Sequence, residues 1–296
     1  MKTILLYLCL IFFTASVFSQ EPPTKKIVID EYIDELLLEE QSLDELLASF
    51  INFHFLYISI NYNSNTYFSG RDIDIDQYNI TPQITYMHSK GFYANISGIY
   101  YSEFIPKWDV TTATIGYGKS FGKDRIWRYY TSLSGYLYSE NNIDGLYNGN
   151  ISAGFGIQNK KRTLGTVFSG SYYIGSGETY QIVSRTYANL KLLKTKKHHL
   201  NIRPQLSVFT GTQIVDVLSD TTIRVSSWSE NNEDLPLQNN VFGLINTQIN
   251  FPIQYSTNSF DFELGYNLNF PSEIGSETDL KNTSFFNIGI SYLLDL

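Results

Sequence analysis

The chain has 296 residues, a formal charge of −8, 43% hydrophobic and 16% aromatic residues, and a mean hydropathy of −0.16. That is too polar for a bundle of membrane-spanning helices. A sequence pI near 5.0 with no concentrated basic helix excludes a nucleic-acid binder.

Residues 1–19 read as an export signal, with Lys2 ahead of an apolar run from Ile4 to Phe13 and the small-residue pattern Val17-Phe18-Ser19 before Gln20. The run is too short for a membrane anchor and no positive stop-transfer flank follows it. The single cysteine, Cys9, lies inside this leader, which argues against a lipoprotein and leaves the cleaved chain without disulfides or cysteine–metal sites.

Residues 20–50 form a separate unit. After Pro22-Pro23, apolar Ile33, Leu36, Leu37, Leu43, Leu46, Leu47 and Phe50 recur at helical spacing, with acidic residues between them. Ser42 and Glu45 form a capping box at the start of a second helix. Residues 21–50 carry −7 of the chain's −8, so an acidic amphipathic periplasmic helix or plug is expected here.

From residue 51 to 296 the pattern changes to period two. About twelve strands are predicted, starting near residues 53, 77, 91, 109, 125, 145, 163, 179, 197, 241, 258 and 284. The eleventh shows the alternation best: Phe260, Phe262, Leu264, Tyr266, Leu268 and Phe270 on one face, Asp261, Glu263, Gly265, Asn267 and Asn269 on the other. Most runs approach or exceed the roughly 9–11 residues needed to cross a bilayer at a tilt, longer than the average strand of a soluble sandwich. An even number of such strands predicts an all-β fold, a transmembrane antiparallel up-and-down β-barrel with lipid outside and polar packing or water inside.

The connections alternate in length. Those at Ser89-Lys90, Phe121 to Asp124, Asn159 to Arg162, Leu193 to Lys196 and Ser256 to Asn258 are tight; those around residues 64–76, 103–108, 139–144, 212–240 and 271–283 are mostly longer. By the usual asymmetry the tight set is periplasmic and the long set faces outward. The two sets also differ in sign, basic on the tight side and acidic on the long side. Those basic turns make the periplasmic mouth the expected dock for the acidic helix. Pro204 interrupts the ninth strand and calls for a bulge, whereas Pro82 and Pro252 are placed near strand ends.

Strand parity points Arg128, Arg185, Lys191, Arg203, Asp261 and Glu263 inward, and a turn centred on Lys194 sets Arg185 opposite Arg203. Such charges either brace a narrow barrel or form a constriction selecting small anionic or zwitterionic solutes. No catalytic constellation and no metal-ligand spacing is found, so neither an enzyme nor a cofactor is expected. GYGKSFG at Gly116 to Gly122 leads into a strand turn and not a helix, which removes the phosphate-loop reading.

The last strand, SFFNIGISYLLDL, resembles the assembly signal of bacterial outer-membrane barrels at Asn287, Gly289, Tyr292 and Leu294, although the ending Asp295-Leu296 replaces the commoner aromatic terminus. The whole layout, an acidic helical lead followed by LYISINYNSNTYFSGRD and a short-turn barrel, is similar to uncharacterised barrels of Bacteroidota. The resemblance implies a Gram-negative outer-membrane protein in contact with lipid and the assembly machinery, and no activity. A small passive pore or narrow solute channel is the expected function. The alternative is a filled interaction barrel that docks partners through residues 21–50, toward a periplasmic protein, and through the 212–240 loop outside.

Overall fold

The computed structural model describes residues 54–139, 147–175, 179–195, 198–216, 238–257, 259–274 and 277–296. The export signal, the 20–50 segment and residues 217–237 of the long connection lie outside them.

Fifteen strand segments are found among the described residues: β1 (His54–Asn63), β2 (Asn79–His88), β3 (Phe92–Tyr101), β4 (Trp108–Phe121), β5 (Trp127–Tyr138), β6 (Tyr147–Gln158), β7 (Leu164–Gly175), β8 (Thr179–Ala188), β9 (Leu190–Lys194), β10 (His198–Ile202), β11 (Gln205–Asp216), β12 (Gln238–Asn250), β13 (Ile253–Thr257), β14 (Phe260–Pro271) and β15 (Thr283–Asp295). Three pairs of segments, β8 with β9, β10 with β11 and β12 with β13, are single spanning strands broken once. The result is a twelve-stranded antiparallel barrel, closed where β1 pairs with β15 from Phe55↔Asp295 to Asn63↔Asn287. Closure pairs the sheet's first strand with its last, and only the end segment β9 and the first half of β12 keep a single neighbour.

Side-chain parity follows the sequence pattern. Ile60, Ile84, Ile96, Ile115, Leu133, Phe168, Leu264 and Ile290 are all exposed on the outer surface, while Asn267 and Asn269 on the inner face of β14 are buried. Apolar residues are exposed and amides buried because the outer solvent is hydrocarbon. Several large inward aromatics sit across from glycines in register: Tyr93 on Gly116, Tyr130 on Gly154 and Tyr187 on Gly165. A Cβ at any of these glycines would collide with the facing ring, which accounts for Gly116 without a phosphate loop.

The three breaks form a belt. Ala188 N donates to Pro204 O (3.0 Å), Arg203 N to Pro252 O (3.1 Å) and Phe251 N to Tyr266 O (3.0 Å), so the ladder passes through the irregularities. Pro204 interrupts its strand as expected, because it has no N–H to give. Of the other two prolines, one adjoins segment ends as expected and one does not. Pro252 makes the β12–β13 break, and Pro82 lies within β2, opposite Ile60. The belt also shifts register: Arg185 faces Ser207, not Arg203, since the β9–β10 turn lies further along than a centre at Lys194 would put it.

Leu264 lies near the middle of β14 and is 53% exposed. Leu264→Arg should cost about 2–4 kcal/mol of barrel stability at bilayer mid-depth. Urea titration of the barrel folded into lipid vesicles would measure it.

Candidate functional site

The interior holds a cavity of about 770 Å³. Of its 32 lining residues, eleven carry side-chain amides and three carry charge, namely Arg185, Arg203 and Glu263. These charges are held in the wall. The Arg203 guanidinium lies 3.8 Å from the Tyr187 ring centroid, and the Glu263 carboxylate accepts from Asn287 Nδ2 (2.7 Å) and Gln254 Nε2 (3.0 Å). Arg128 is buried beside the same tyrosine, 5.8 Å from its centroid, in space left by Gly156, where a Cβ would stand 2.6 Å from Arg128 Nε. Asp261 is 1% exposed and, like Arg128, does not line the cavity.

Lys191 stands apart from the cavity. It shares a face with Asn201 but lies exposed on β9 at the tight-turn end, beyond the cavity. Toward that end the inward side chains Phe55, Met87, Leu293, Val167 and Tyr187 are buried, and the interior narrows. Of the C-terminal motif, Asn287 and Gly289 line the cavity, Tyr292 packs on Phe260 with centroids 4.8 Å apart, and Leu294 faces outward.

At the opposite end the first long connection, residues 64–78, folds back over the barrel. It turns at Ser69-Gly70, both with positive φ (53° and 83°), so that Phe68 and Arg71 bond each other's backbones as in a two-residue hairpin. Gly70 is required twice over: its φ favours glycine, and a Cβ there would stand 2.6 Å from the Asn246 side chain. Beneath the turn lies a second cavity of about 380 Å³ that shares Asn63, Thr81, Gln181, Phe209, Gln248 and Phe285 with the first.

Arg71 fastens this loop. Its Nε and Nη2 grip Glu277 at 2.9 and 2.8 Å, while Nη2 also donates to Ser272 O (2.8 Å) and Nη1 to Ile245 O (3.2 Å) and Ser69 O (3.3 Å). Both side chains are almost fully buried, 3% and 7% exposed. A bulge makes this contact. The β11–β12 register slips at Phe209/Thr210, leaving Ile245 unpaired so that its carbonyl can also accept from Ser272 N (3.0 Å). Ile245 itself packs against Ile274. Next to the turn, Tyr67 donates to Ser284 O (3.3 Å), and burial, with Asp72 and Asp76 nearby, pushes its phenol above the ordinary value. Nothing local in the sequence of either segment marks Arg71 and Glu277 as partners.

No family model and no curated protein matches the sequence. Solved structures do match in shape. The chain is similar to the KdgM porin (7% identity, 80% of this chain and 98% of that one, TM-score 0.44) and the NanC porin (10% identity, 80% and 98%, TM-score 0.45). It is also similar to LpxR from Salmonella typhimurium (9% identity, 80% and 99%, TM-score 0.46). At these identities the likeness concerns the barrel fold and carries nothing about cargo or chemistry.

Arg71→Ala would leave Glu277 buried without its cation, a loss of about 3–5 kcal/mol from the loop's attachment. Limited proteolysis of the folded protein should then cut within residues 64–78 much faster than in the wild type, with the barrel fragment intact.

Proposed function

We propose that this protein is an outer-membrane channel for small polar solutes, the two contiguous cavities forming its passage. The observation that supports this reading is the polar cavity of about 770 Å³ inside a closed barrel whose outer surface is apolar. A barrel serving only as a scaffold has no need of a polar hollow in its middle. The loop held by Arg71 narrows the outer mouth, and the buried side chains around Met87 narrow the other end, so the channel is of small conductance.

Purified protein in planar bilayers with symmetric KCl should show discrete current steps, and Arg71→Ala should raise their size. Silence from both proteins at every salt concentration would sink the channel. Ion selectivity gives a second check. Glu263→Gln removes the negative charge among the three that line the cavity, so the reversal potential in a KCl gradient should move toward anion preference; Arg185→Gln should move it the other way.

A further inference from the structure

We infer that the open edge of β9 is a docking strand, and that residues 27–31 of this chain's own acidic lead add to it as a further strand.

At the tight-turn end β9 is the one segment, among the described residues, with a single neighbour. β8 runs against β7 as far as Leu164↔Ala188, and Asn189 N donates the last bond on that side, to Thr163 O (2.9 Å). β9 then continues for five residues, Leu190–Lys194, paired with β10 alone. Its other edge presents backbone N–H and C=O groups with no strand beside them.

This edge stands in water and not in lipid. The β6–β7 turn lies level with Asn189, and its Lys160 is 72% exposed and pairs with Asp124 of the β4–β5 turn (2.9 Å). Charges at that level mark the end of the hydrocarbon, and the β9–β10 hairpin projects past them. All five β9 residues are exposed, with Leu190, Leu192 and Leu193 at 50%, 56% and 47%. An open, leucine-rich edge in water is a template for an added strand. Lys191 and Lys194 decide which strand. Two copies of this edge would set lysines against lysines, whereas an acidic segment would meet opposite charge.

The acidic lead has that chemistry. Ile27-Val28-Ile29 is a β-branched run ahead of the helical spacing that starts at Ile33, and Asp30 and Glu31 follow it directly. The lead is also within reach. β1 opens at His54, paired with His88 at the same end of the barrel, and β9 is five strand steps away. The 22 residues from 32 to 53 span about 70 Å if extended and about 33 Å if helical. A twelve-stranded barrel is roughly 25 Å across.

Hydrogen exchange of the whole protein, folded in lipid nanodiscs, reads the edge directly. Amides of residues 190–194 should exchange about tenfold slower in the wild type than in Ile29→Pro, which removes a donor from the added strand and leaves the barrel sequence untouched. Lys191→Glu should lose the same protection. Leu192→Cys combined in turn with Ile27→Cys, Val28→Cys, Ile29→Cys and Asp30→Cys should cross-link within one chain at alternate positions, as a strand requires. Equal exchange in the wild type and Ile29→Pro, whether fast or slow, would overturn the docking. So would the absence of any cross-link, or cross-links formed only between two chains.

Discussion

The pairing of β1 with β15 is the constraint from which the rest follows. Hydrocarbon offers no hydrogen-bond partner to a backbone, so the sheet has to return to its own first strand. Nine consecutive register pairs accomplish this, between segments more than two hundred residues apart. Once the cylinder is closed, every residue of every strand is committed to lipid or to the interior. The amide girdle, the wall-bound charges and the aromatic–glycine pairs are all consequences of that commitment.

Closure also explains why irregularities are collected and not scattered. A proline in an open sheet can sit at an edge; in a closed one its missing N–H must be absorbed inside the ladder. Here Pro204 and Pro252 are absorbed together, on adjacent strands, with Arg203 N donating to Pro252 O and Pro204 O accepting from Ala188. The belt turns its defect to use by placing Arg203 over the Tyr187 ring, the cation held against an aromatic face in the buried interior. The Ile245 bulge works in the same way at the other end. An unpaired carbonyl, which would be a liability against lipid, becomes an acceptor for Arg71 and Ser272.

The buried Arg71–Glu277 pair serves position more than stability. Ion pairs removed from water recover little net free energy unless every donor is used, and Arg71 uses its guanidinium on a carboxylate and three carbonyls. Such saturation fixes one geometry for the 64–78 connection. A loop held this way lies across the barrel mouth, where an unfastened one would extend into solvent, and the shape of the second cavity depends on it.

The sequence by itself determined the barrel. Strand starts from near 53 to 284 agree with the observed segments to within a few residues, and the inner and outer faces of β14 were readable residue by residue, because a period of two against lipid leaves no other arrangement. The break at Pro204 was legible for the same local reason. Only the tertiary structure decided what the interior is. The register across the belt moved Arg185 away from Arg203, and Lys191, opposite the buried Asn201, lies exposed on β9 beyond the cavity. The first long connection turned inward to meet Glu277, some two hundred residues away in the chain. Those outcomes depend on bulges and on which distant segments closure brings together, and no local pattern of residues encodes either.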